Sequence, residues 1–79
     1  MARLPQLSGR EVISALQREG FVVDRITGSH HIMVKQGHRF NVSVPIHGSK
    51  PVNPFTLKNI LKQAMISHER FLELCGKQN

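Results

Sequence analysis

The stretch TGSHHIMVKQGHRFNVSVP, residues 27–45, decides the fold because it holds two β-rich runs behind a turn signal. Gly28-Ser29 marks the turn, and the runs HHIMVK and RFNVSV are joined by Gln36-Gly37-His38, a short Gly-containing connection typical of a hairpin. The second run alternates apolar and polar residues, which predicts one buried face and one polar face. The expected buried positions are Phe40, Val42 and Val44.

Helical patterns flank this stretch on both sides. In SGREVISALQREG, Ser8 is the expected N-cap, Glu11 completes a capping box and Gly20 fits the position just after the helix. The segment FVVDRI between this helix and the Gly-Ser turn is strand-like. After a loop, PIHGSKPVNP, the segment TLKNILKQAMI predicts a second helix, and Ser67 begins a short third helix, HERFLEL. The expected buried helix positions are Val12, Ile13, Leu16, Leu57, Ile60, Leu61 and Ala64.

The predicted element order is therefore α-β-β-β-α-α. Consecutive strands with short connections favour a three-stranded antiparallel sheet with the helices packed on one face, an α+β fold. A chain of 79 residues fits one small domain, residues 1–79, with no room for a separate cofactor domain. The other face of the sheet stays open, and small α+β modules usually bind their ligands there.

Positive charge is concentrated in the middle of the chain. The formal net charge is +6, and all five acidic residues lie outside residues 25–68. A positive field without interleaved acids suits a polyanion such as RNA, because phosphate contacts release counterions. The alternative is an ordinary basic surface that aids solubility.

Several classes of function fit the sequence poorly. Structural zinc sites need four ligands, usually with paired cysteines, and the chain has one cysteine, Cys75. His30 and His31 are adjacent, so in a strand they point to opposite faces and cannot chelate together. Two-metal nucleases need clustered carboxylates, which the middle of the chain lacks. A Ser29–His30 nucleophilic pair has no evident acid to orient the imidazole, and a Cys75–His pair would need the C-terminal helix to fold back over the sheet.

The expected location of the protein rests on three features that the sequence lacks: a membrane span, a signal peptide and a possible disulfide. No segment approaches the ~20 apolar residues of a membrane span, and residues 1–12 contain no apolar run typical of a signal peptide. One thiol gives no internal disulfide and so no sign of an oxidising compartment. We expect a cytoplasmic protein that binds no metal and no cofactor.

What remains is histidine as a proton-transfer group in a basic groove. Imidazoles titrate near pH 6.5, and RNA supplies its own nucleophile, the 2′-hydroxyl. A general base and nearby cations are the minimum for metal-free cleavage. The alternative is that the histidines are only polar strand residues.

Four segments, in order, resemble the HicA family of small toxin ribonucleases, also called YcfA-like proteins. They are REGF at the end of the first helix, GSHHIMVK, VSVPIHGSK and TLKNILKQAMISHERFLEL. The resemblance runs from about residue 5 to residue 75. It implies a double-stranded-RNA-binding-domain-like fold and cleavage of messenger RNA by the toxin of a toxin–antitoxin pair involved in stress response. Together with the absence of carboxylates from the middle of the chain, it leads us to expect that this cleavage is metal-independent. It also implies a HicB-type antitoxin partner that covers the active site and through which any contact with DNA is made.

The resemblance also implies site residues. The catalytic histidine of the family directly follows Gly-Ser, which carries over to His30, with Gly28 and Ser29 shaping the turn that presents it. His47 matches the family's Val-Pro-x-His and is a candidate either for ordering the loop after the third strand or for assisting proton transfer. Beside these, the basic residues predicted to contact RNA are Lys35, Arg39, Lys58, Lys62 and Arg25.

Two positions depart from the family pattern. Phe55 stands where members usually have the glycine of Gly-Thr before the second helix, and Met65 stands where they usually have a glycine after it.

Arg25 has an alternative partner in the neighbouring Asp24. Two other functions remain open at this level: a non-catalytic RNA-binding module of the same fold, and an interaction protein that docks an antitoxin.

Overall fold

A computed structural model describes residues 5–76 of the chain. Its elements follow the predicted order and confirm the α+β class, with a three-stranded antiparallel sheet and three helices. In chain order they are α1 (Gly9–Arg18), β1 (Val22–Thr27), β2 (His30–Val34), β3 (Val42–Pro45), α2 (Pro54–Ala64) and α3 (His68–Cys75).

The first helix begins and ends at the residues that its sequence predicts. The Ser8 hydroxyl accepts a hydrogen bond from the Glu11 backbone N–H at 3.3 Å, and the Ser8 N–H donates to the Glu11 carboxylate at 2.9 Å. This capping box satisfies two of the N–H groups that a helix start leaves free. Gly20 follows the helix with a φ of 106°, a conformation that glycine adopts without steric cost.

The sheet has the strand order β1-β2-β3, and its register assigns each residue to a face. On the inner face, which is covered by helices, Met33 pairs with Val42 and His31 pairs with Val44. A register shift between Val23 and Arg25 bends the edge strand β1. The outer face, which stays open, carries Arg25, Thr27, His30, Ile32, Val34, Ser43 and Pro45.

The core lies between the inner face of the sheet and the helices. Its buried side chains include all seven helix positions predicted from the sequence, together with Val42 and Val44. The first turn of α1 packs tightly against the end of β3, since a Cβ atom at Gly9 would lie 2.2 Å from the Pro45 carbonyl oxygen. This contact fixes the place where the chain leaves the sheet.

The third helix is joined to the first by polar contacts at its surface. The Arg70 guanidinium pairs with Glu73 of its own helix and with Glu19 at the end of α1, each at 3.0 Å. Hydrogen bonds to Glu73 and then to Glu19 raise the pKa of Arg70 above its usual value. Arg18 of α1 also donates to the Leu74 carbonyl oxygen, so α3 is attached to α1 at two points.

The connection between β2 and β3 is longer than predicted, and the predicted burial of Phe40 is wrong. The chain leaves β2 after Val34 and enters β3 only at Val42. Within this loop the His38 ring lies edge-on to Phe21, and its Nε2 atom is 2.7 Å from the Gln63 carbonyl oxygen. Because the loop turns to reach α2, Phe40 leaves the strand, packs beside His38 and remains 50% exposed.

Within the described residues, no helix combines the length and the apolar character needed to cross a membrane. The predicted absence of a signal peptide concerns residues 1–12, of which the first four lie outside the described part of the chain.

Candidate functional site

A groove of about 650 Å³ lies between the open side of the β2–β3 pair and the helix α2. The sheet side contributes His30, Ser43 and Pro45, and the loop between β3 and α2 contributes several more residues. The complete lining is His30, Ser43, Pro45, His47, Lys50, Pro51, Val52, Asn53, Thr56, Asn59, Ile60 and Gln63.

The Gly28-Ser29 turn brings His30 to the lining of this groove. Gly28 has a φ of 59°, so the tight link between β1 and β2 uses a conformation that favours glycine. The Ser29 carbonyl oxygen accepts a hydrogen bond from the Ile46 backbone N–H at 2.7 Å, and His30 pairs with Pro45. The turn is thereby attached to the exit of β3, directly before His47.

The two adjacent histidines are on opposite sides of the sheet, as their spacing predicts. His30 is exposed and lines the groove, whereas His31 is half-buried on the inner face beside Val44. The Nδ1 atom of His31 is shielded from solvent and has no hydrogen-bond partner within residues 5–76. Only His30 of the pair is therefore available to a ligand in the groove.

The ionisable side chains that line the groove can transfer protons and attract anions. They are His30, His47 and Lys50, and among the described lining residues there is no Asp or Glu. Elsewhere in residues 5–76, no three His, Cys, Asp or Glu side chains form a group suited to a metal ion. Two imidazoles beside an ammonium group can carry out general acid–base chemistry on a bound anion.

The predicted RNA-contacting residues lie outside the groove. Arg25 pairs with Asp24 at 2.8 Å, which is the alternative that the sequence left open. The Lys35 ammonium lies 5.5 Å from the centre of the Phe21 ring, and the Lys58 ammonium lies 6.0 Å from that of Phe55. Arg39 and Lys62 are exposed, and none of the five lines the groove, so their contact with RNA stays a prediction.

Sequence reasoning missed two parts of the groove. Lys50 counted only as one of several cations, because its place in the same groove as His30 depends on how the loop folds back. The α2 wall consists of uncharged polar residues, and charge counting does not detect these. Their spacing is a signal in the sequence: Thr56, Asn59 and Gln63 recur at intervals of three and four residues on one helix face.

Comparison with known proteins decides the family. Residues 9–66, well over half of the chain, match the family model described as HicA toxin of bacterial toxin-antitoxin. The chain belongs to the HicA toxin family. No curated protein matches it in sequence.

A solved structure is similar to this chain in both sequence and fold. It is described as "Toxin-Antitoxin complex from Streptococcus pneumoniae", and one of its chains is 30% identical to this protein with a TM-score of 0.63. The superposition covers 78% of this chain and 100% of that chain. The HicA match extends from the start of α1 to just beyond α2, so every groove residue from His30 to Gln63 lies within it, while α3 lies outside.

Proposed function

We propose that this HicA-family toxin is a metal-independent endoribonuclease that cleaves messenger RNA in the groove. The observation that supports this most directly is the groove lining, in which His30, His47 and Lys50 occur without a carboxylate among the described residues. A phosphodiester next to a 2′-hydroxyl needs a base, an acid and a cation, and these three side chains supply them.

In the proposed mechanism, His30 acts as the general base. Its neutral imidazole takes the proton of the 2′-hydroxyl, and the 2′-oxygen forms a bond to the adjacent phosphorus. The bond between phosphorus and the 5′-oxygen of the next nucleotide breaks, and that oxygen takes a proton from the His47 imidazolium. The products are a 2′,3′-cyclic phosphate and a free 5′-hydroxyl.

Lys50 has an electrostatic role in this proposal. Negative charge increases on the non-bridging phosphate oxygens as the 2′-oxygen attacks, and an ammonium group held nearby stabilises that charge more than it stabilises the bound substrate. The basic residues outside the groove lining, Arg25, Lys35, Arg39, Lys58 and Lys62, hold the flanking phosphates in this proposal. Those contacts give affinity without sequence preference.

The chemistry of the product ends tests this mechanism. Purified protein is incubated with a 3′-labelled single-stranded RNA in the presence of EDTA, and the fragments are analysed by mass spectrometry. We expect 2′,3′-cyclic phosphate and 5′-hydroxyl ends. Fragments with 5′-phosphate ends that form only with magnesium would contradict the mechanism, and RNA binding without any cleavage would favour a non-catalytic RNA-binding module.

We also propose that a HicB-type antitoxin is the protein partner and that it covers the groove. The structural neighbour described as a toxin–antitoxin complex supports a partner of this kind. Addition of the antitoxin in equimolar amount should then stop both RNA binding and cleavage.

A further inference from the structure

The wall that α2 presents to the groove is uncharged but polar. Thr56, Asn59 and Gln63 line the groove together with the buried Ile60, and these positions form a single stripe at helical spacing. Asn59 and Gln63 are exposed, and Thr56 is half-buried. The side chains of these three polar residues have no hydrogen-bond partner within the described part of the chain, so their donors and acceptors are available.

The same helix keeps its cations away from the groove. Lys58 and Lys62 are exposed but do not line it. At about 100° per residue they lie about 100–160° around the helix from Thr56 and Gln63, and Lys62 lies about 60° from Asn59. A wall that only held phosphates would carry these lysines. Their absence from it indicates that α2 faces a different part of the substrate.

Carboxamide side chains are suited to nucleobases. Asn and Gln each offer a donor next to an acceptor, whereas phosphate oxygens only accept hydrogen bonds. The N6 amino group and N7 atom of adenine present the complementary pair, and single-stranded RNA exposes such base edges. The backbone carbonyl of Gln63 lies 2.7 Å from the His38 Nε2 atom, so the loop between β2 and β3 holds this end of the wall in place.

We propose that Asn59 and Gln63 select the base next to the cleaved bond, with a preference for adenine. This inference rests on the proposed ribonuclease function, and it assigns base recognition to α2 and proton transfer to the sheet side of the groove. A base stacked in the 650 Å³ groove would place its edge on the α2 wall while its sugar and phosphate face His30 and Lys50.

The test maps cleavage sites in an RNA library with a randomised segment, for the wild type and for the Asn59→Ala/Gln63→Ala double variant. We expect the wild type to prefer adenine at one position beside the cut. In the double variant, the ratio of cleavage at adenine to cleavage at the other bases should fall about tenfold. Gln63→Glu should shift the preference towards cytosine, because a carboxylate accepts a hydrogen bond from the N4 amino group. The matched control is Gln17→Ala, an exposed amide of α1 remote from the groove lining, which should leave the pattern unchanged.

The outcomes separate this inference from the proposed function. If the wild type cleaves and the double variant has the same base preference, the inference is overturned while the ribonuclease function stands. If the wild type does not cleave, the ribonuclease function fails, and base selection is measured by the binding of four homo-oligonucleotides of A, C, G and U. Equal affinities for all four, or the same ranking in the double variant, would overturn base selection by α2.

Discussion

His30 and His47 line the same groove from two different elements, the start of β2 and the loop after β3. In the proposed mechanism one imidazole must be neutral and the other protonated at the start of each turnover. The rate of cleavage should therefore show a bell-shaped dependence on pH.

The variant His47→Ala should lose one of the two limbs of this bell-shaped pH–rate profile. We expect the rate at saturating RNA to fall about 100-fold or more and to vary with pH in one direction only, because the general acid is missing. Initial rates are measured across the pH range with the same RNA, and His68→Ala is the control, since His68 lies at the start of α3 and does not line the groove. An unchanged bell in His47→Ala would assign the second proton transfer to another group.

The separation of His30 from His31 could be predicted from the sequence, because strand side chains alternate between faces regardless of the rest of the fold. The position of Lys50 could not. Its approach to the groove depends on the loop between β3 and α2, which is fixed by long-range contacts such as the hydrogen bond from Val52 to the Leu7 carbonyl oxygen. Local sequence contains no information on such a contact.

At the scale of the elements, the end of α2 contains a strained residue. Met65 ends the helix with a φ of 59° and a ψ of 44°, the left-handed conformation that glycine usually adopts at this position. Its side chain is 73% exposed, so it gains little from packing. This backbone geometry explains the glycine that the HicA resemblance leads us to expect at position 65.

Met65→Gly should therefore stabilise the protein by about 1 kcal/mol, because a left-handed conformation costs a non-glycine residue roughly 1–2 kcal/mol. Urea unfolding followed by circular dichroism measures the change. Met65→Ala is the matched control, since it shortens the exposed side chain but keeps the strained φ, and it should gain much less. Equal stabilities of the glycine and alanine variants would show that backbone strain at Met65 is unimportant.

The helices were predictable to a greater extent than the hairpin. Ser8 and Ser67 cap their helices through local hydrogen bonds, and these signals act within four residues. The alternation of Phe40, Val42 and Val44 suggested a longer strand, but the loop before Val42 is shaped by the contact between His38 and the end of α2. A contact across 25 residues overrides the local pattern.

At the scale of the whole molecule, the feature that bears most on RNA binding is the uneven distribution of charge along the chain. Eleven basic and five acidic residues leave a net charge of +6, and no acid lies between positions 25 and 68, the range that contains every residue lining the groove. The charge distribution was visible in the sequence. The position of those charges relative to the groove could be seen only in the folded structure.

RNA binding should accordingly depend strongly on salt. Six phosphate contacts, from the five predicted residues and Lys50, give a slope of about −4 in a plot of log affinity against log salt for a single strand. This is a loss of roughly 300-fold in affinity between 50 and 200 mM salt. Fluorescence anisotropy with a labelled RNA measures the slope, which should become less steep by about 1.4 when Lys58 and Lys62 are replaced by Gln. A slope near zero would contradict a phosphate-based interface.

The most direct test of the central claim is cleavage of a long single-stranded RNA in EDTA by three proteins: the wild type, His30→Ala and His31→Ala. The two substituted histidines are neighbours in β2, but only His30 lines the groove. RNA affinity and thermal stability are measured in parallel, because His31 is half-buried. We predict that His30→Ala binds RNA but cleaves it at least 100-fold more slowly, while folded His31→Ala cleaves at close to the wild-type rate. Equal cleavage by His30→Ala and the wild type would contradict the account.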